Sequence, residues 1–489
     1  MGVCVGIDFG TTYTKIAYVD ALGTPICINN MEGTNMTPSV VFFESLEEVI
    51  VGEGAKELSY LEPEKVISGV KQLLGKSNFA IKVQGSDLEP EQVAALIIKK
   101  IINDAAIVIG EEIDEVVIAV PATWGMNEVT ALRNSVLITG IDKVSVVSET
   151  TAAALAYGVM SEEQEQTVLI YDLGGSSFQA TIAFFNGTDI KIIGCESCGN
   201  LGGFNWNEVV EKHLMDEFSN ETGFDGDFDV YALQDISLKA EKAKKMLSCR
   251  DEVPVLIEAS GLRTRIKLSR TIFEKETEYL LNETVKYTDA VIEHAESQGY
   301  GIDKILLIGG SSIMPQVVEK LHNKYSIKPE LFEPELAIAK GAALYGGIIS
   351  FDNIKDVASK SYAIKVIAEG KEFCQNMIIK NWQFKKGQIK ITKQFGIANN
   401  DLGRIDLSIY ESEHTEKFYE VDEQLKLANI TFNSFEMGAP ALIQIEMTLT
   451  VDKVLSVCCK DYYNGKILSE VSFGINSKLR NDSTRSHSE

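Results

Sequence analysis

Short apolar runs alternate with longer stretches of helical period along roughly the first 350 residues, and three of the short runs end in glycine turns. The first is Val5-Gly-Ile-Asp-Phe-Gly-Thr-Thr-Tyr-Thr-Lys15, where Asp8 sits inside an apolar strand just before Gly10, Thr11 and Thr12. Apolar residues resume at Ile16, Ala17, Tyr18 and Val19, so the turn joins two strands and not a strand to a helix. The second, Leu169-Ile-Tyr-Asp-Leu-Gly-Gly-Ser-Ser-Phe178, repeats the plan with Asp172, Gly174, Gly175, Ser176 and Ser177, and a returning strand over 180–185. The third, Ile305-Leu-Leu-Ile-Gly-Gly-Ser-Ser312, turns at Gly309 and Gly310, and Pro315 then opens a helix.

A carboxylate at the end of a buried strand is costly unless a cation or hydrogen-bond donor meets it. Glycine at position 10 lets the backbone approach a ligand, and the Thr11 and Thr12 amides and hydroxyls can wrap an anion. These parts suit a phosphate held by backbone donors, with a hydrated divalent metal beside Asp8. Each aspartate alone also reads as a turn cap in a polar hairpin. Two such hairpins and a glycine strand-to-helix turn together predict two related lobes clamping one nucleotide.

The intervening pattern supports an α/β lobe with both sheet faces covered. Strands are expected over 39–43, 116–120 and 144–147, and helices over 93–109 and 127–139. A second lobe is expected to begin near Tyr171 and to hold helices over 206–219, 232–248 and 272–298; a small-residue helix over 335–349 would return to the first lobe. From 362 to 473 no helical period is convincing. Strands are expected over 363–368, 388–392, 404–410 and 430–432, and 443–451 alternates apolar and polar positions throughout. Asn464-Gly465 signals a tight hairpin. The expected organisation is a nucleotide-binding domain over 1–351, a linker over 352–361, a β-sandwich over 362–475 and a disordered polar tail over 476–489.

A net charge of -25 and a pI near 4.7 argue against a nucleic-acid backbone or an anionic membrane as partner. No apolar run reaches the length of a membrane span. The start, Met1-Gly-Val-Cys-Val, enters the first strand without a charged segment or cleavage site. Eight scattered cysteines, with close pairs only at Cys195/Cys198 and Cys458/Cys459, suit reduced thiols in a cytoplasm better than a zinc site or disulfides.

The chain resembles the seventy-kilodalton heat-shock chaperones of the DnaK type, within the actin-like ATPase superfamily. The resemblance is carried by Gly6 to Thr12, Val117-Ile-Ala-Val-Pro-Ala122, Val147-Ser-Glu-Thr-Thr-Ala-Ala-Ala-Leu-Ala-Tyr-Gly158 and Asp172 to Ser177. Ala240-Glu-Lys-Ala-Lys244 with Ser248, Gly309-Gly310 and Gly341-Ala-Ala343 complete the series. It implies a two-lobed actin-like ATPase domain followed by an all-β sandwich, here without the C-terminal helical lid. It also implies ATP or ADP with Mg²⁺ as cofactors, and unfolded or extended polypeptide as client. A co-chaperone or nucleotide exchange factor would be a further partner.

By the same resemblance, Asp8 and Asp172 would hold Mg²⁺ through its waters, while Lys71 and Glu149 position the attacking water. Read without it, Lys71 is a solvated helix charge and Glu149 an ordinary acidic residue at a helix start. Thr12 and Ser177 would contact phosphate oxygens, with Tyr13 and Gly202-Gly203 close by. Glu241, Lys244 and Ser248 recur at i, i+3 and i+7, so they share a helix face; the resemblance gives that face, with Lys245, to adenine and ribose. Gly309, Gly310, Ser311 and Ser312 would close the site from the other side.

Several positions depart from the family pattern. Gln179 stands where an aspartate beside the metal is expected, and Ser176 replaces a glycine. Leu201-Gly-Gly-Phe-Asn-Trp-Asn207 carries amides for carboxylates, Thr150 replaces a proline, and Val129 aligns with an expected arginine. The linker Asp352-Asn-Ile-Lys-Asp-Val-Ala-Ser359 keeps only Ile354 and Val357 as apolar anchors, which leaves coupling between the domains open. Two readings follow: a lidless ATP-driven chaperone with slow hydrolysis, or a nucleotide-gated scaffold with little or none. A sugar kinase of the same superfamily would lack the terminal β-sandwich.

Overall fold

The computed structural model describes residues 2–76, 79–160, 165–187, 189–347, 354–368, 370–397, 404–433 and 442–474. The expected tail over 476–489 and the start of the linker at 352–353 lie outside those residues.

Two sheets of matching plan form the first part. In the first lobe, strand Val3–Phe9 runs antiparallel to Tyr13–Val19 and parallel to Ile113–Val120, which pairs in turn with Lys143–Ser148. In the second, Glu165–Leu173 runs antiparallel to Phe178–Asn186 and parallel to Lys304–Ile308. Asp8 and Asp172 therefore occupy equivalent places, each on the first strand of a hairpin and next to a parallel neighbour. The central strands are buried nearly end to end, as sheets covered on both faces require. Helix Pro90–Ile109 presents Val93, Ile97, Ile98, Ile101 and Ile102 to the first core. Helices Gly203–Thr222, Val230–Leu247 and Arg270–Ser297 cover the second.

Between the sheets lie two small-residue helices, Glu149–Met160 and Ala337–Gly347, sharing one cluster with residues of both sheets. They approach so closely that a Cβ at Gly341 would sit 1.7 Å from the Ala152 carbonyl oxygen. Only glycine permits that crossing.

The second part is a pair of antiparallel sheets. One holds Phe418–Glu420, Lys371–Ile378, Ser361–Ala368, Arg404–Ser412 and Lys426–Asn433; the other holds Gln388–Gly396, Leu442–Thr450, Leu455–Asp461 and Ile467–Phe473. Their inner faces share one apolar cluster, with Ile443, Ile445, Met447 and Leu449 pointing inward as the alternation predicts. Among the described residues no helix follows these sheets. The Asn464-Gly465 turn is wider than a two-residue hairpin. The Asp461 N–H donates to the Lys466 carbonyl at 2.8 Å, closing a loop over 462–465, with Gly465 at φ 71°.

The linker is docked in spite of its polarity. Ile354–Lys355 adds a parallel strand to Asp189–Cys198, and Val357 is buried in the interlobe cluster. Asp356 accepts from the Thr151 hydroxyl at 3.0 Å. Met126 of the first lobe belongs to the β-domain's own core, and its N–H faces both carboxylate oxygens of Glu411 at 3.2 and 3.1 Å. Lys380 reaches Glu196 at 2.9 Å and Glu413 at 2.8 Å. Arg133, one helical turn beyond Val129, donates to the Asp452 carbonyl at 2.7 Å.

Candidate functional site

The two hairpin turns meet. Thr11 Oγ1 and Ser176 Oγ lie 2.7 Å apart, one from each lobe, and a Cβ on Gly175 would come within 2.9 Å of Thr12 Oγ1. Gly10 lines the cavity and is also fixed by the turn. A Cβ there would strike the Tyr13 carbonyl oxygen at 2.1 Å, so the turn itself demands glycine.

Behind these turns lies a cavity of about 270 Å³ bounded by both lobes. It is lined by Asp8, Gly10, Thr11, Thr12, Tyr13, Lys71 and Glu149 from the first lobe. The second lobe supplies Asp172, Gly174, Gly175, Ser176, Ser177, Gly203, Glu241, Lys244, Lys245, Ser248, Gly309, Gly310 and Ser311. Two expected residues stand behind its wall. Gly202 packs against the Ser176 backbone, and a Cβ on it would meet Ser176 at 2.6 Å. Ser312 is fully buried, donating to the Ile308 carbonyl at 2.6 Å and accepting from the Leu173 N–H at 3.2 Å.

Lys71 is not a solvated charge. It lies in a short 3₁₀ turn, is buried, and its Nζ donates to Glu149 Oε1 at 2.7 Å. Glu149 opens the interlobe helix and its other oxygen accepts from Gln179 Nε2 at 2.5 Å. Asp8 meets the cation its burial calls for: Lys15 Nζ donates to Asp8 Oδ2 at 2.9 Å. Burial pulls the Lys15 ammonium down, but Asp8 outweighs it and the net shift is upward. Burial, with Glu149 and Asp8 adding negative charge, pushes the Asp172 carboxyl well above the ordinary carboxylate range.

Sequence reading passed over Lys15, although hairpin register places it opposite Asp8. It also passed over Glu335, which lines the same cavity, as do Phe204 and Asn207 of the amide-bearing loop. Across the mouth, Lys245 and Lys56 hold Glu241 at 2.6 and 3.5 Å, and both ammonium groups lie over the Tyr13 ring. This ties the helix Val230–Leu247 to the first lobe. Lys244 is buried beneath it, donating to the Gly203 carbonyl at 2.7 Å, and burial lowers its ammonium to about 8.

Among the described residues no three carboxylate, histidine or cysteine side chains gather as a metal cage. Asp8 and Asp172 do share the cavity with clustered negative charge, a donor set that fits a divalent ion keeping most of its waters.

The family model described as Hsp70 protein matches residues 4–81 and 76–483. The chain belongs to the Hsp70 family. It is 30% identical over 472 residues to "Chaperone protein DnaK" of Halobacterium salinarum, covering 94% of this chain and 73% of that protein. Proteins of the same description from Thermotoga petrophila and Thermotoga maritima are 30% identical over 493 residues, covering 96% of this chain and 80% of theirs. This Hsp70 relative thus carries mixed α/β nucleotide-binding lobes followed by antiparallel β sheets. None of its described helices is long and apolar enough to cross a membrane.

Proposed function

We propose that the chain binds ATP with Mg²⁺ between its lobes and hydrolyses it slowly to ADP and phosphate. The cycle would hold and release extended, unfolded polypeptide on the β-sandwich, in a reducing cytoplasm that suits its free thiols. The observation that carries this reading is the meeting of two glycine hairpins over Asp8 and Asp172, with the buried Lys71–Glu149 pair beside them.

Phosphoryl transfer to water asks the protein for positioning and charge more than covalent chemistry. The Thr11, Thr12, Ser176 and Ser177 turns offer amides and hydroxyls to phosphate oxygens from both lobes. Lys71, fixed by Glu149, offers a donor to the attacking water; Glu149 fixes it in turn. Mg²⁺, when bound, would neutralise charge on the β- and γ-phosphates, and Asp8 and Asp172 would hold its waters. The face of Glu241, Lys244, Lys245 and Ser248 would take the base and ribose, opposite Gly309 and Gly310. On the β-domain, an extended peptide would add to a sheet edge, its alternate side chains entering pockets.

Single-turnover hydrolysis with and without unfolded peptide tests this. Peptide-stimulated turnover that disappears in Lys71→Ala is the expected result. A second reading, a nucleotide-gated scaffold with little turnover, is favoured by the amides at Gln179, Asn205 and Asn207. Tight Mg·ATP binding without turnover would select it.

A further inference from the structure

Hairpin register makes Gln179 the second-lobe counterpart of Lys15. Asp8 faces Lys15 across the first hairpin, and Asp172 faces Gln179 across the second. Lys15 turns its ammonium onto its facing aspartate. Gln179, 1% exposed, instead sends both ends of its amide into the other lobe. Its Nε2 donates to Glu149 Oε2 at 2.5 Å, and its Oε1 accepts from the Ala122 N–H at 2.7 Å. The contacts close on themselves. Glu149 holds Lys71, and the Lys71 ammonium lies 5.4 Å from the centre of the Trp124 ring, two residues beyond Ala122.

A primary amide is the side chain of this length that donates to a carboxylate and accepts from a backbone N–H at once. A carboxylate at 179 would keep the Ala122 contact but lose the donor to Glu149, and would add charge beside Asp8, Glu149 and Asp172. An alkyl side chain would lose both contacts.

We propose that Gln179 is a positioning residue: from the second lobe it holds Glu149, and through Glu149 it holds Lys71, where the attacking water is oriented. The inference rests on the reading of the cleft as an ATP site. It also gives the departure at 179 a purpose, since the amide ties the lobes together beneath the phosphates.

The test compares wild type with Gln179→Ala, Gln179→Glu and the nearly isosteric Gln179→Met, the last keeping the core filled if alanine unfolds the chain. Mg·ATP affinity is read by calorimetry, hydrolysis by single turnover, and the Trp124 environment by the emission that Trp124→Phe removes from nucleotide-free protein. The expected result is a single-turnover rate lowered about 100-fold with affinity within about threefold. Trp124 emission should shift, and Gln179→Ala should have little further effect in a Glu149→Ala background. The proposal is overturned if the variants turn over within about threefold of wild type, or if the loss is as large without Glu149. It is equally overturned if wild type binds Mg·ATP without hydrolysing it. Folded wild type that binds no Mg·ATP would overturn the nucleotide reading beneath it, a separate result.

Discussion

Replacing Lys380 with methionine should loosen the β-domain from the nucleotide lobes. The Lys380 side chain is 7% exposed and bridges Glu196 of the second lobe to Glu413 of the β-domain. Burial alone would lower its ammonium, yet Glu413 and Glu196 overcome that and push it up. Removing one partner of a fully buried pair costs about 3–5 kcal/mol, and an exposed pair contributes about 0.2–1 kcal/mol. Here the cation is buried, but Glu196 and Glu413 are 27% and 51% exposed and can rehydrate when it goes. An intermediate cost of about 2 kcal/mol follows, or about 30-fold in the docking equilibrium. Methionine keeps the aliphatic stem, so the change isolates the charge.

Hydrogen exchange reports it directly. The Cys195 N–H of the second lobe donates to Asn381 Oδ1 at 3.3 Å and the Met126 N–H of the first lobe faces Glu411 at 3.2 and 3.1 Å, so both amides are protected by the docked β-domain. Both should exchange about 30-fold faster in Lys380→Met, while amides of the central strand Glu165–Leu173 keep their wild-type rates. Exchange at Cys195 and Met126 within about threefold of wild type would refute the reasoning and leave docking to the linker contacts.

Three further outcomes are expected. Gly341→Ala forces a methyl onto the Ala152 carbonyl and should cost about 3 kcal/mol, read as an earlier denaturation midpoint. Burial holds Lys244 near 8, so its positive charge is present below that pH and lost above it. Mg·ATP affinity measured by calorimetry should therefore weaken above pH about 8 in wild type and show no such step in Lys244→Met. Burial raises the Asp356 carboxyl, so its contribution to linker docking is complete below the ordinary carboxylate pKa and is lost as pH rises through the raised value. Protection of the strand Ile354–Lys355 should fall as pH rises above the ordinary carboxylate range, and Asp356→Asn should remove that slope.

The hairpins were legible because a period of two, an aspartate and a glycine turn coincide twice. Their partners were harder to see. Asp8 announces that a cation must meet it, and Lys15 answers from across the turn, which requires working out the register and not just the motif. The hairpin Glu252–Ala259 and Leu262–Ser269 left no clear signal, since Pro254 argues against a strand. It is tolerated because the two-stranded sheet has only edges. The linker left its docking open for a different reason. Polarity counts side chains, whereas docking uses the backbone of Ile354 and Lys355, one buried valine and a satisfied aspartate. Ion pairs such as Lys380 with Glu196 join residues far apart in the chain, and nothing in a local pattern marks them.

The crossing of Glu149–Met160 with Ala337–Gly347 has a mechanical consequence. With backbone against backbone at Gly341, sideways slip meets a hard stop, and rolling about the contact is the compliant motion. The pair works as a bearing. If the second lobe rolls about this contact, its outer strand Asp189–Cys198 would carry the two-residue strand zipped to its edge.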